Sequence, residues 1–326
     1  MIWVRTLVGY SASNLIRLGH RLRIGSTALV ISIIAMLSAS NAFAITPCPN
    51  SISGTFFNPT ALTFDGLGNL YVASYSMGTI CKIAPNGVVS PFVSTAIGTS
   101  HYGLAVDASN NLYVSDLSDG NIYKVTQGGV SSIFASGLNG PLGLVFDASG
   151  TLFVTNFSAG SVSKITPSGV VSTFATGLQT PTGINFDASG NLVISDANNT
   201  TLSKVAPNGT ATPFASGVGR SVALTTDASY NLYIPTIDTR KLLKVTPNGF
   251  ISTIATGIGT SYGVALDASG NLYFSDISTG RITKLDGVGV PAMPVPTLSQ
   301  WSLILLGLLM GAFALIQLRR TNTIPA

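Results

Sequence analysis

Residues 181–196 read Pro181-Thr-Gly-Ile-Asn-Phe-Asp-Ala-Ser-Gly-Asn-Leu-Val-Ile-Ser-Asp196. Two short β-type runs flank Asp-Ala-Ser-Gly-Asn, a cluster of turn formers. Two more β-type runs follow, Leu202-Ser-Lys-Val205 and Thr210-Ala-Thr-Pro-Phe-Ala-Ser216. The unit then recurs. Its first aspartate stands at Asp65, Asp107, Asp147, Asp187, Asp227 and Asp267, spaced by 42 residues once and by 40 thereafter. A lysine follows each by 17 residues, at Lys82, Lys124, Lys164, Lys204, Lys244 and Lys284. Four short strands in a period of about 40 residues mark a propeller blade. A lone blade cannot bury both of its faces, so neighbours must stack and the ring must close. The expectation is an all-β, six-bladed β-propeller with four-stranded blades over residues 45–286.

Closure has its own signal. The sixth repeat stops near Asp286, before a fourth strand, whereas Ser51-Ile-Ser-Gly-Thr-Phe-Phe57 precedes the first repeat and matches the type of Val171-Ser-Thr-Phe-Ala175. This N-terminal stretch is therefore expected to complete the last blade as its fourth strand. Cys48 and Cys81 are the two cysteines. A disulfide between them is chemically permitted outside the cytoplasm and would reinforce closure; the sequence alone leaves its formation open.

The charge of +4 belongs to the ends of the chain. Arg5, Arg17, Arg21 and Arg23 precede residue 45, and Arg319 and Arg320 lie near the C-terminus. Residues 45–290 keep seven Lys and three Arg against 12 Asp, a net of −2 with no basic stripe. That distribution excludes a nucleic-acid partner. The four N-terminal arginines, the apolar run 27–37 and Ala42-Phe43-Ala44 form an export signal over residues 1–44, with cleavage after Ala44. Residues 287–296 are a Pro/Gly-rich linker. Residues 301–318 are 18 residues without a charge, about 27 Å as a transmembrane helix. The arginines behind that helix favour the cytoplasmic side, which leaves the repeats outside.

Two resemblances follow from these residues. Val295, Pro296, Thr297, Leu298, Ser299, Gln300 and Trp301, then an apolar helix and Arg319-Arg320, resemble the IPTL-CTERM sorting domain of Gram-negative bacteria, whose usual motif has Ile and Glu where this chain has Val295 and Gln300. The resemblance covers residues 295–320 and implies an exported, cell-envelope protein handled by a sorting or processing enzyme. A plain membrane anchor is the alternative. The repeats, with Leu104-Ala-Val-Asp107 and Asn111-Leu-Tyr-Val-Ser-Asp116, are similar to NHL-type and streptogramin-lyase-like propellers. Tryptophan–aspartate repeat propellers do not fit, because Trp3 and Trp301 both lie outside the repeats.

Candidate functional positions are those where the repeats differ. The recurring aspartates belong to turns, in which a short carboxylate accepts backbone N–H groups. The related propellers build their binding face from loops before the first strand and after the second. The second-strand ends are Ser74, Asp116, Asn156, Asp196, Thr236 and Asp276; the other loops contribute His101, Tyr102, Arg220 and Tyr262, with Asp119, Asn198, Asp238 and Arg240 nearby. Such a rim suits a carbohydrate, a small polar ligand or a protein. Streptogramin-lyase-like enzymes use histidine with glutamate, and gluconolactonase-like ones bind metal through a glutamate. This chain has no glutamate, and His101 is its one histidine after the signal. The reading is a non-catalytic binding module without cofactor. One alternative is an enzyme with His101 and Asp116, or a divalent cation such as calcium held by Asp116, Asp196 and Asp276. Another is a structural envelope protein without a ligand.

Overall fold

The computed structural model describes residues 48–75, 78–93 and 97–289. The export signal with Ala44, linker residues 290–296, the sorting motif and the apolar segment 301–318 with Arg319 and Arg320 lie outside the described residues.

Blade 1 is built from Pro59–Phe64, Leu70–Ser74, Thr79–Ile83 and Val89–Pro91, and blade 2 from His101–Val106, Leu112–Asp116, Asn121–Val125 and Ser131–Ala135. Blade 3 holds Pro141–Phe146, Leu152–Asn156, Ser161–Ile165 and Val171–Ala175, and blade 4 holds Pro181–Phe186, Leu192–Asp196, Thr201–Val205 and Ala211–Ser216. Blade 5 has Thr225–Thr226, Leu232–Pro235, Lys241–Val245 and Ile251–Thr256. Blade 6 has Val264–Leu266, Leu272–Asp276 and Arg281–Leu285. Each sheet is an antiparallel meander. The first strands lie side by side around an axis, and the first strand of blade 6 returns to that of blade 1.

Second strands are apolar on both sides because both sides are covered by neighbouring blades. Tyr71, Val72 and Ala73 are all buried, and Leu112 and Val114 are fully so. One apolar cluster fills each of the six blade-to-blade contacts. Small residues let the first strands converge: a Cβ on Gly103 would collide with the Leu142 carbonyl, and one on Gly143 with the Thr182 carbonyl.

The recurring aspartates are turn formers. Asp187 accepts the N–H groups of Ser189 and Asn191, both at 2.9 Å, and binds the Asn191 amide. Lys204 Nζ lies 2.8 Å from the same carboxylate and 4.1 Å from the centre of the Phe214 ring. Asp107 and Lys124 repeat the pairing more loosely, at 3.7 Å, with Lys124 over Tyr113.

The sixth sheet has three strands, and the expected fourth strand from residues 51–57 does not form. Gly54 N–H turns back to the Ser51 carbonyl, and a disulfide between Cys48 and Cys81 ties the segment to the third strand of blade 1. Closure is made by Phe56 instead. Its N–H donates to the Gly280 carbonyl at 2.7 Å, as Leu138 does to Gly120 and Leu178 to Gly160. Phe56 thus takes the place of the residue that follows a fourth strand, and the match to Val171–Ala175 was out of register. Its side chain is 1% exposed, packed with Cys48, Leu62, Leu70 and Ala265 from both sides of the seam.

Phe56→Ala should lower the unfolding free energy of the full chain by about 3–5 kcal/mol. Phe57→Ala, at a residue 43% exposed, should stay within about 0.5 kcal/mol. Chemical denaturation under non-reducing conditions checks the pair.

Candidate functional site

At the end of the ring where the first strands begin, a cavity of about 60 Å³ lies on the axis among Tyr102, Tyr262, Gly103, Gly143 and Gly263. Tyr102 stacks toward Tyr75 at 5.4 Å between ring centres and toward Tyr262 at 6.4 Å. Burial first, then its two tyrosine neighbours, pushes the Tyr102 hydroxyl up to about 12, so it stays a neutral donor at physiological pH. Tyr75 escaped the sequence reading. It follows the second strand of blade 1, and the packing of blade 1 on blade 2 brings it to Tyr102.

The second-strand ends turn inward. Asp116 is fully buried, and its carboxylate accepts N–H groups from Ser100, Ser118 and Asp119, each at 2.9 Å. Asp196 accepts from the backbone of Thr180, Asn198 and Asn199 and from the Thr180 hydroxyl. Asp276 holds Thr260, Ser278 and Thr279 in the same manner. Each carboxylate therefore ties the loop after its own second strand to the loop before its first. For Asp276, burial opposes ionisation, but the bonds from Ser278, Thr279 and Thr260 hold its pKa below the usual value. Asn156 is buried, its amide donating to Ser161 and Ser163. Thr236 is buried against Thr239 and Lys241. Among the described residues no group of three His, Cys, Asp or Glu side chains gathers as a metal-ligand set.

His101 is also fully enclosed. Its Nε2 lies 2.7 Å from the Ile97 carbonyl, which fixes the N–H there, and 3.8 Å from Asp116 Oδ2. Burial pushes its pKa down, against weaker upward pulls from the Ile97 bond, Asp116 and Asp119. Asp119 on blade 2 and Asn198 on blade 4 are exposed at this end, and blade 5 adds a group of charged side chains. There Arg220 donates its backbone N–H to Asp238 at 3.2 Å and its Nε to the Ala197 carbonyl at 2.6 Å, and Arg240 is exposed with φ of 51°.

Hydroxyl groups near this end join successive blades. Thr60 donates to the His101 carbonyl at 2.6 Å, Ser115 to Leu142 at 2.6 Å, Thr155 to Thr182 and Thr182 to Ser221. The floor of the mouth is thus rigid, while the tyrosines stand above it.

A histidine whose folded pKa lies below its unfolded 6.5 binds fewer protons when folded. Its neutral form supports the fold above that pH, and the support is lost as pH falls through and below it. Stability should therefore fall below pH 6.5 by at most about 1.4 kcal/mol per pH unit. His101→Ser, the residue found at the matching Ser221 and Ser261, should remove that slope. Denaturant midpoints between pH 5 and 7 measure it.

Comparison with known proteins agrees with this geometry. The IPTL-CTERM motif is matched at residues 293–320. No curated protein matches the chain. Virginiamycin B lyase from Staphylococcus aureus superposes with a TM-score of 0.59 at 16% identity, over 76% of this chain and 88% of that one. A gluconolactonase from Xanthomonas campestris gives 0.63 at 16% identity, over 72% and 88%. A chain of a nidogen/laminin complex gives 0.57 at 22% identity, over 65% and 87%. At these identities the likeness is one of fold. The profile of the Virginiamycin B lyase family, however, matches residues 50–299, most of the sequence, and the chain belongs to that family.

Proposed function

We propose that the protein binds a carbohydrate or peptide ligand at the bacterial cell envelope without transforming it. The observation that carries this reading is the Tyr75, Tyr102 and Tyr262 cluster at the axial mouth, beside acid–base groups that are already engaged. Rigid aromatic faces with hydroxyl handles recognise sugar rings and peptide side chains at low entropic cost. Arg220, Asp238 and Arg240 add exposed polar partners on blade 5. His101 and Asp116 are both fully buried, so a substrate proton has no path to either. The IPTL-CTERM motif supports export and handling by a sorting or processing enzyme. On this reading the signal over residues 1–44 is removed, and residues 301–318 hold the protein in a membrane before or instead of processing.

Family membership favours a second reading, a lyase or lactonase acting through His101 and Asp116. Opening of the loops around residues 97–101 and 116–120 would be required to expose that pair.

Screening the purified full chain against oligosaccharide and peptide arrays should yield saturable binding. For the best ligand, Tyr102→Ala should weaken affinity about tenfold, the equivalent of about 1.4 kcal/mol. Val130→Ala, in a turn at the other end of the ring, should leave it unchanged. Absence of any saturable ligand would instead support a structural envelope role.

A further inference from the structure

The end of the ring opposite the tyrosine mouth is made of turns. Leu70 pairs with Ile83, Leu112 with Val125, Leu152 with Ile165 and Leu272 with Leu285, so the first–second and third–fourth turns of a blade emerge together. Those turns expose Leu67, Val88, Val130, Val170, Tyr230 and Phe250. Val88, Val130, Val170 and Phe250 hold one place in the repeat, just before the fourth strand, and Phe250 is 67% exposed. Single exposed apolar residues need no explanation, but a ring of them at equivalent positions does.

Tyr230 adds a separate argument. It holds φ of 60° where other blades place Gly68, Gly150, Gly190 and Gly270. A bulky residue adopts that left-handed conformation only at a conformational cost. The residue is nonetheless 40% exposed, so packing offsets only part of that cost.

The chain also leaves the propeller on this face. Gly289 N–H donates to the Gly270 carbonyl in a turn of blade 6, and the Val288 carbonyl accepts from the Tyr233 hydroxyl. The expected linker therefore starts from a docked position. Eleven residues, 290–300, separate Gly289 from Trp301, and fully extended they reach no more than about 40 Å.

We propose that this turn face lies against the bilayer that holds the tail, with Tyr230 and Phe250 seated among the lipid headgroups. The inference rests on the reading of residues 301–318 as membrane-held. The short tether keeps this face, and not the tyrosine mouth, close to the lipid. Aromatic and aliphatic side chains partition into the interfacial region, and each adds to a contact that the tether already makes local. Asp107 with Lys124 and Asp187 with Lys204 pair near the turns, and Lys284 pairs with Asp286, so the charges on this face are largely balanced. The mouth then points away from the membrane, open to ligands.

The test uses the full chain reconstituted into phosphatidylcholine vesicles with brominated acyl chains, which quench nearby tryptophan. Phe250→Trp and Val170→Trp are the probes, Phe57→Trp on the opposite end is the control, and emission of the unsubstituted protein is subtracted. Quenching of both probes about twofold or more above the control is expected, and a Tyr230→Ser/Phe250→Ser background should abolish it at Val170→Trp. Equal quenching of probes and control, in protein that floats with the vesicles, overturns the docking alone. Protein that fails to float overturns the tail reading together with it.

Discussion

The contact between blades 6 and 1 is the constraint on which the rest depends. Every second strand is apolar on both faces, so an open ring would leave two such faces in water. The chain closes the seam with residues 48–56. Phe56 fills it, its N–H bonds the Gly280 carbonyl, and the disulfide fixes Cys48 to blade 1. The disulfide joins residues 33 apart, which in the chain-entropy account contributes about 4 kcal/mol. Because the clasp is a link segment and not a strand, the edge at Arg281–Leu285 has no fourth strand beside it among the described residues.

Closure also decides what the polar residues do. With the first strands drawn together, the loops on the mouth side must be tied across 16 or more residues, and Asp116, Asp196 and Asp276 do that tying. Carboxylates whose oxygens already accept two or three N–H groups have fewer lone pairs left for a further cation or substrate. His101 is bonded through Nε2 to Ile97 in the link between blades 1 and 2, while its Nδ1 is buried without a hydrogen-bond partner. What remains at the mouth is aromatic on blades 1, 2 and 6, with exposed charged side chains on blades 2 and 5. The two ends of the ring are thereby given different chemistry by one repeat: a tyrosine cluster at the mouth, separate exposed apolar side chains at the turns.

Much of this was legible in the residues. The period and the turn aspartates with their lysines are repeated signals, and both survive in the structure. The misread register of residues 51–57 has a plain cause. Phe56 resembles the strand residue Phe174 by type, yet its role is that of Leu178, and only its bond to Gly280, more than 200 positions away, separates the two. The direction of the Asp116 carboxylate was hidden for a similar reason. Its place at a strand end marks it as rim, whereas the N–H of Ser100 draws it inward. Tyr75 meets Tyr102 across a blade boundary, a contact that no spacing within one repeat encodes.

On the proposed reading the family's propeller here binds without turnover, with its acid–base groups serving the fold. The most direct measurement is chromatographic conversion of quinupristin, the compound in a structure of a Staphylococcus aureus virginiamycin B lyase variant, by the purified full chain. The account predicts unchanged quinupristin over prolonged incubation. Conversion that disappears in His101→Ser would contradict it and make His101 a catalytic residue.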